Sequence, residues 1–124
     1  MANKNKKTLE QQQIKASVKY VRVSPYKLRK VAKEISALPA NQALAKLNVM
    51  VQKSAKILYK LLHSGVANAV HNNQCQAEEL VIKSLIVNEG PKMKRYQLRA
   101  RGRMFKILKP MSHVEMVLTT KENR

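Results

Sequence analysis

The sequence predicts an α+β domain, with a three-stranded antiparallel sheet, three helices packed on one face and a long projecting β-hairpin. Segments with strand-like alternation and segments with helical apolar stripes follow one another in the order β-α-α-α-β-β. A strongly basic segment lies between the last two predicted strands. With 124 residues, 44% of them hydrophobic, the chain suffices for one domain with a buried core.

We expect three parts along the chain. Residues 1–13 form a basic, flexible N-terminal tail, residues 14–120 a single globular domain that includes the hairpin at about 89–113, and residues 121–124 a C-terminal tail. The N-terminal tail is open to two interpretations, a disordered terminus or an arm that becomes ordered on an anion. It lacks the apolar stretch of a signal peptide, so we expect the protein to stay in the compartment where it is made.

The first strand is predicted where apolar and polar residues alternate, closing at Arg22 and Val23. Its inward-facing set is Ile14, Ala16, Val18 and Tyr20. A helix follows from Ser24-Pro25, because serine is a favourable N-cap and proline suits the first helical position. The apolar stripe of this helix is Leu28, Val31, Ala32, Ile35 and Leu38, and Pro39 ends it.

Basic residues of this first helix lie largely outside its apolar stripe: Lys27, Arg29, Lys30 and Lys33. They form either an ordinary solvated face or a second phosphate-contacting surface. The basic segment further along the chain favours the second interpretation.

Two more helices and two strands complete the predicted core. A short helix runs from Asn41 to about Asn48, and a long one from roughly Val51 to Asn72. Gly65 in the long helix predicts close approach of another element, which would offset a cost in helix propensity of about 1 kcal/mol. The strand at 80–87 is apolar at most positions, which predicts a central strand. The strand at 113–120 presents Val114, Met116 and Leu118 on one face.

The basic segment carries eight positive charges and no acidic residue: Lys92, Lys94, Arg95, Arg99, Arg101, Arg103, Lys106 and Lys109. Such charges repel one another unless a polyanion neutralises them. Four of the seven arginines of the chain fall between residues 95 and 103. Because arginine can grip a phosphate with two bonds and stack on a base, this bias indicates nucleic acid. Gly102 supplies a position free to take positive φ in a tight turn.

The flanking strands predict that this segment is a hairpin projecting from the sheet. Each arm has about a dozen residues, which at full extension reach roughly 30 to 40 Å. A compact chain of this length has a radius of gyration of about 14 Å, so the hairpin would overshoot the domain.

The composition excludes several other classes of function. The chain has no aspartate and only seven glutamates. It therefore offers few carboxylates for a metal site or for hydrolysis by a pair of carboxylates. Its single cysteine allows no intrachain disulfide, and no apolar run approaches the roughly 20 residues of a membrane span. His63, His71 and Cys75 have helical spacing, but a buried apolar thiol at a helix end is the better interpretation than a metal site. We expect no metal, no cofactor and no small-molecule substrate.

Five stretches resemble the large-subunit ribosomal protein L22 family, of bacterial or organellar type. They are Val21-Arg-Val-Ser-Pro-x-Lys27, Ser64-Gly-Val-Ala-Asn-Ala-Val-His-Asn72, Glu89-Gly-Pro-x-Met-Lys-Arg95, Arg99-Ala-Arg-Gly-Arg103 and Ser112-His-Val-x-Met-Val-Leu118. Leu98 stands where the family usually has proline, and Met104 where it usually has a small residue. The conformation of the hairpin tip is therefore not predicted.

The resemblance implies a non-enzymatic constituent of the large ribosomal subunit that binds large-subunit rRNA and supports assembly. Its implied partners are that rRNA, neighbouring large-subunit proteins and the nascent polypeptide, with no membrane. The implied location is the ribosome in a bacterial cytoplasm, or alternatively in a plastid stroma or mitochondrial matrix. The hairpin would line the polypeptide exit tunnel through Met93, Lys94, Arg95, Arg99, Ala100, Arg101, Gly102, Arg103 and Met104.

The residues expected to bind rRNA lie on the first strand, the first helix and the hairpin. They are Lys15, Lys19, Arg22, Ser24, Lys27, Arg29, Lys30, Lys92, Lys94, Arg95, Tyr96, Arg99, Arg101, Gly102, Arg103, Phe105, Lys106, Lys109 and His113. Basic side chains would contact backbone phosphates, and arginines could also stack on unpaired bases. The two aromatic residues among them would either stack on bases or pack across the two arms.

Three other functions fit the sequence less well. A free-standing architectural or chaperone factor would share the charge but would not need a long hairpin between core strands. A ribonuclease using His63, His71 or His113 would need catalytic partners within reach, and no activating carboxylate is evident. A membrane-surface role is disfavoured because the basic segment has no helical apolar face.

Overall fold

The computed structural model describes residues 13–36 and 38–120. The tail at 121–124 and all but residue 13 of the N-terminal tail lie outside the described residues. In chain order, the elements are strand β1 (Ile14–Val21), helices α1 (Pro25–Ile35), α2 (Ala40–Val49) and α3 (Lys53–Asn72), and strands β2 (Leu80–Glu89), β3 (Met93–Leu98), β4 (Met104–Lys109) and β5 (Ser112–Thr120). Short 3₁₀ turns at Ala77–Glu79 and Ala100–Gly102 precede β2 and join β3 to β4.

Three strands form the core sheet, in the antiparallel order β1-β5-β2. The helices pack against this sheet and bury one cluster of apolar side chains between the two layers. The predicted α+β class is therefore confirmed. No helix within the described ranges is long and apolar enough to cross a membrane.

The prediction that β2 is the central strand is wrong, because β5 lies between β1 and β2 and pairs with both. The apolar run of β2 reflects burial of its first three residues, Leu80 to Ile82, near α2. Its outer edge is partly covered, since Pro39 forms an isolated antiparallel bridge with Val81. The hydrophobicity of this strand thus reports how well it is covered, not where it lies in the sheet.

The inward orientation predicted for Tyr20 is also wrong. The register of β1 against β5 shifts by one residue between Val18 and Val21. Tyr20 takes a positive φ of 59° there and is 60% exposed, while Val21 turns inward and is buried. Such a bulge inserts one residue into the strand, so the period-two pattern before it does not continue beyond it. The inward positions of Ile14 and Ala16 are confirmed.

The helices follow their predicted stripes but not all of their predicted ends. The α1 residues Leu28, Val31, Ala32 and Ile35 are buried, as predicted. The helix ends at Ile35, so Leu38 follows it in the chain and is half-buried. Helix α3 begins at Lys53 instead of Val51, and Val51 is 91% exposed.

Gly65 allows α3 to lie directly on the core sheet. A Cβ atom at this position would be 3.0 Å from Leu118 Cδ1 of β5 and 3.4 Å from Ala16 Cβ of β1. The predicted close approach at Gly65 is therefore confirmed. The contact holds the long helix over the central strand β5 and the edge strand β1.

Candidate nucleic-acid interface

Strands β3 and β4 form a separate two-stranded antiparallel sheet, here called the hairpin (residues 93–109). Its six residue pairs run from Met93 opposite Lys109 to Leu98 opposite Met104. None of the β3 and β4 side chains is buried. At about 3.3 Å per residue, the paired part spans about 20 Å. This is shorter than the 30 to 40 Å expected for a fully extended arm, because the residues that join the hairpin to the core and the turn at its tip lie outside the paired part.

A neck joins the hairpin to the core sheet, with residues 90–92 on one side and 110–111 on the other. The core ladder reaches Glu89 opposite Ser112, and the Gly90 N–H donates to the Met111 carbonyl oxygen at 2.8 Å. Pro91 and Pro110 have no N–H to donate to a ladder. The neck has three residues on the β2 side and two on the β5 side. The pairing register of the hairpin is therefore shifted by one residue relative to that of the core sheet.

The tip of the hairpin is a tight five-residue turn. The Arg99 N–H donates to the Arg103 carbonyl oxygen at 2.7 Å, while Arg101 and Gly102 take positive φ values of 62° and 72°. The positive φ predicted for Gly102 is confirmed, whereas that of Arg101 was not predicted. Leu98 and Met104, the two departures from the family pattern, form the last pair of the ladder below this turn.

All eight basic side chains of the hairpin and neck are exposed: Lys92, Lys94, Arg95, Arg99, Arg101, Arg103, Lys106 and Lys109. Among the described residues, the one ion pair joins Lys46 Nζ to Glu34 Oε2 at 4.0 Å, on the helices. Within the described part of the chain, no carboxylate neutralises the hairpin charge. The like charges on this narrow ribbon are therefore available to an external polyanion.

The aromatic residues Tyr96 and Phe105 do not pack on each other. Tyr96 pairs with Lys106 and Phe105 with Gln97, so the alternation of the strands puts the two rings on opposite faces. The Arg99 guanidinium lies 5.3 Å from the centroid of the Phe105 ring, within the range of a cation–π contact. Tyr96 is exposed, and both rings present surface on which a base could stack.

The structure brings the basic face of α1 next to the base of the hairpin. A groove of about 900 Å³ separates the two. Six of the predicted contact residues line this groove: Arg22, Ser24, Lys27, Lys30, Arg95 and Lys109. Lys15 and Lys19 are exposed on β1 and do not line it.

Two predicted contact residues also hold the fold together. Arg29 donates from Nε and Nη2 to the Val87 carbonyl oxygen, at 3.3 and 3.0 Å, and so ties α1 to β2. His113 Nδ1 accepts the Tyr20 N–H at 3.1 Å, and the two rings meet edge to face with centroids 4.9 Å apart. His113 thereby supports the bulge of β1, assisted by Ser112, whose hydroxyl donates to the Val23 carbonyl oxygen at 2.6 Å.

Sequence reasoning missed three polar residues that also line the groove: Gln52, Lys53 and Ser54, at the start of α3. Their signal is the polar run before the apolar stripe of α3. The predicted helix start at Val51 concealed it, because it placed these residues inside the helix.

The histidines and the cysteine form no metal-binding group within the described ranges. Helix α3 ends at Asn72, so Cys75 does not continue its face. Burial, and secondarily the negative charge of Glu79, raises the pKa of the Cys75 thiol. The protonated thiol is a small buried group, which agrees with the interpretation from the sequence.

Comparison with known proteins identifies similar chains over most of the sequence. Residues 16–119 match the profile of the family described as Ribosomal protein L22p/L17e. The matched range covers the three helices, the hairpin and nearly all of the core strands.

Three similar proteins are each called Large ribosomal subunit protein uL22. The one from Mycoplasmopsis synoviae is 47% identical over 107 residues, covering 86% of this chain and 95% of its own. The one from Desulfatibacillum aliphaticivorans is 45% identical over 106 residues, covering 86% and 97%. The one from Mesoplasma florum is 44% identical over 105 residues, covering 85% and 94%.

Proposed function

The chain belongs to the ribosomal protein L22p/L17e family, and on this premise we propose that it is a structural constituent of the large ribosomal subunit that binds large-subunit rRNA. The observation that carries rRNA binding is the hairpin, whose exposed basic side chains meet no carboxylate within the described residues. The family is structural, which confirms the expectation that the chain is not an enzyme.

Binding takes place by charge neutralisation on two surfaces. The hairpin presents lysines and arginines on both of its faces, so it contacts RNA segments on either side. The basic residues of β1 and α1 contact further phosphates beside the hairpin base. Because released counterions drive such binding, contacts with six to ten phosphates would lose about 10³ to 10⁵ in affinity between 50 and 200 mM salt.

Sedimentation tests this proposal directly. The tagged protein is expressed in cells, and lysates are fractionated through gradients at low and high salt. We expect the protein in large-subunit particles, retained after the high-salt wash. A protein that runs free of the particles, or that washes off with soluble nucleic-acid-binding factors, contradicts the proposal and favours the free-standing factor.

The hairpin further supplies a wall of the polypeptide exit tunnel, through Met93, Lys94, Arg95 and residues 99–104. Support comes from the family resemblance of this segment and from its exposed tip, which carries three arginines. A photo-crosslinking amino acid at Arg101 should couple to a stalled nascent chain, whereas the same probe at Lys60 on α3 should not. Equal coupling from both positions would contradict the assignment.

We also propose a bacterial location and the limits of the domain. The similar proteins described above come from bacteria, which supports a ribosome in a bacterial cytoplasm over a plastid or mitochondrial one. Neighbouring large-subunit proteins are expected as further partners. Residues 14–120 are proposed as one domain that includes the hairpin, and in a fragment with these limits the core should unfold in a single transition when monitored by circular dichroism.

A further inference from the structure

The groove between the helices and the hairpin base has strongly positive walls. On the core side it is lined by Arg22, Lys27, Lys30 and Lys53, and on the hairpin side by Arg95 and Lys109. None of the described acidic residues lines it. Cations thus converge on this groove from two separate structural units, and Lys53 Nζ also donates to the Arg22 carbonyl oxygen at 3.4 Å.

Two helices begin at the groove. Ser24 precedes α1 and Gln52 precedes α3, and neither side chain caps its helix with a hydrogen bond. Helix geometry leaves the first-turn amides without intrahelical acceptors. The N–H groups of Lys27, Lys53 and Ser54 are therefore donors beside the groove, and both helix dipoles favour an anion there.

Ser54 gives an independent indication of a ligand. Its side chain lies in the first turn of α3 and lines the groove, yet the residue is only 4% exposed. No described residue hydrogen-bonds to its hydroxyl. Among the described residues, every fully enclosed side-chain polar atom has a hydrogen-bond partner. The Ser54 hydroxyl has none among these residues, so it is not fully enclosed and remains accessible from the groove. Nearly buried hydroxyls ordinarily have a hydrogen-bond partner, so this one is suited to a ligand.

We propose that this groove binds consecutive phosphates of an RNA strand that runs between the core and the hairpin. The inference rests on the proposed rRNA binding and adds a defined site to it. A volume of about 900 Å³ exceeds what one inorganic phosphate fills, and the cations stand on two opposite walls. A strand held there contacts Lys53 and Ser54 on one side and Arg95 on the other. It fixes the orientation of the hairpin relative to the core.

The test compares variants of the full chain for binding to purified large-subunit rRNA across a salt series. The double variant Lys27→Gln/Lys53→Gln removes two groove charges, and Lys56→Gln/Lys60→Gln removes two exposed charges of α3 that do not line the groove. Each phosphate contact contributes about 0.7 to 0.9 to the slope of log affinity against log salt. We expect the groove variant to lower that slope by about 1.5 and the control to leave it nearly unchanged.

Ser54→Ala tests the hydroxyl without a change of charge. Loss of one hydrogen bond predicts an affinity about two- to tenfold lower, with an unchanged salt slope. The unfolding midpoint should not fall, because no described residue bonds the hydroxyl and alanine favours the helix. A lower midpoint with unchanged affinity would mean that Ser54 serves packing alone, and would contradict its part in the site.

Nuclear magnetic resonance distinguishes the source of the phosphate. A short single-stranded RNA should shift the amide signals of Lys27, Lys53 and Ser54 at concentrations where inorganic phosphate does not. Equal shifts from equimolar inorganic phosphate would contradict a strand-binding site. If the wild-type chain binds no rRNA, the proposed function itself fails. If it binds and the groove and control variants behave alike, only the groove site fails.

Discussion

The two antiparallel sheets of this chain are built alike and stabilised differently. In the core sheet, Val114, Met116 and Leu118 of β5 are fully buried, while the alternate residues Glu115 and Val117 are exposed and half-buried. In the hairpin, alternation continues but no side chain is buried on either face. Strand pairing therefore does not itself create a core. A two-stranded ribbon without a covered face is marginally stable in water, so we expect the hairpin to be less stable than the core sheet in the free protein.

Hydrogen exchange should show the largest difference between the two sheets. In the isolated protein, the amides of β5 open only with global unfolding, whereas those of residues 93–109 open locally. We expect protection factors at least about 10³-fold higher in β5, because global stability amounts to several kcal/mol. In the large subunit, the hairpin amides should become slow as well. Strong and equal protection of both sheets in the free protein would show that the hairpin is stable by itself.

Truncation of one leucine in each sheet compares their contributions to stability. Leu118→Ala in β5 should lower the free energy of unfolding by about 2–5 kcal/mol, because it leaves a cavity in a packed core. Leu98→Ala in β3, at a position 75% exposed, should change it by less than about 0.5 kcal/mol. Urea unfolding monitored by circular dichroism measures both. A comparable loss in Leu98→Ala would place the hairpin within the folding unit of the core.

For RNA binding, in contrast to stability, we expect removal of charge from the hairpin to have a larger effect than removal of charge from the core. The variant Arg99→Gln/Arg101→Gln/Arg103→Gln should lower the salt slope of rRNA binding by about one unit for each arginine that contacts a phosphate. Its free energy of unfolding should match that of the wild type, since these side chains are exposed. The control Lys56→Gln/Lys60→Gln/Lys83→Gln removes the same charge from the core. If the control weakens rRNA binding equally, binding depends on the net charge of the protein and not on the location of the charges in the hairpin.

The smallest difference in stability between the two sheets is expected when alanine replaces Gly90 at the neck or Gly102 at the hairpin tip. At Gly90 a Cβ would lie 3.1 Å from the Met111 backbone, so Gly90→Ala should lower the free energy of unfolding by about 1–3 kcal/mol. At Gly102 no atom lies within 4 Å, and the positive φ alone opposes alanine. Gly102→Ala should cost about 1 kcal/mol in tip formation and leave global unfolding unchanged. Faster exchange at β3 and β4 amides, with an unaltered unfolding curve, would confirm this.

Local signals predicted much of the fold. The apolar stripe of α1, the close approach at Gly65 and the positive φ of Gly102 each depend on a few neighbouring residues, and the structure agrees with all three. The strongly basic segment between two strands likewise indicated where the charged hairpin lies, because charge and flanking alternation are properties of the sequence itself.

Features set by distant contacts could not be predicted. The bulge at Tyr20 is supported by His113, which lies 93 residues further along the chain. The position of β5 between β1 and β2 depends on which strands pair with each other. The apolar content of a strand does not determine its pairing partners. Arg29 was predicted to contact RNA, yet it also holds Val87, 58 residues away. The groove arises from three segments, 22–30, 52–54 and 93–110, which only the folded chain brings together.

The neck gives the protein a break in its folding cooperativity. Pro91 and Pro110 have no N–H to donate to a strand ladder. We therefore expect local opening of the strand pair to begin at the tip, stop at the neck and leave β2 and β5 paired. The hairpin can therefore change conformation while the core stays folded. The domain can likewise fold as it is synthesised, before any RNA is present. We therefore expect substitutions of exposed residues within 93–109 to alter binding more than the stability of the core.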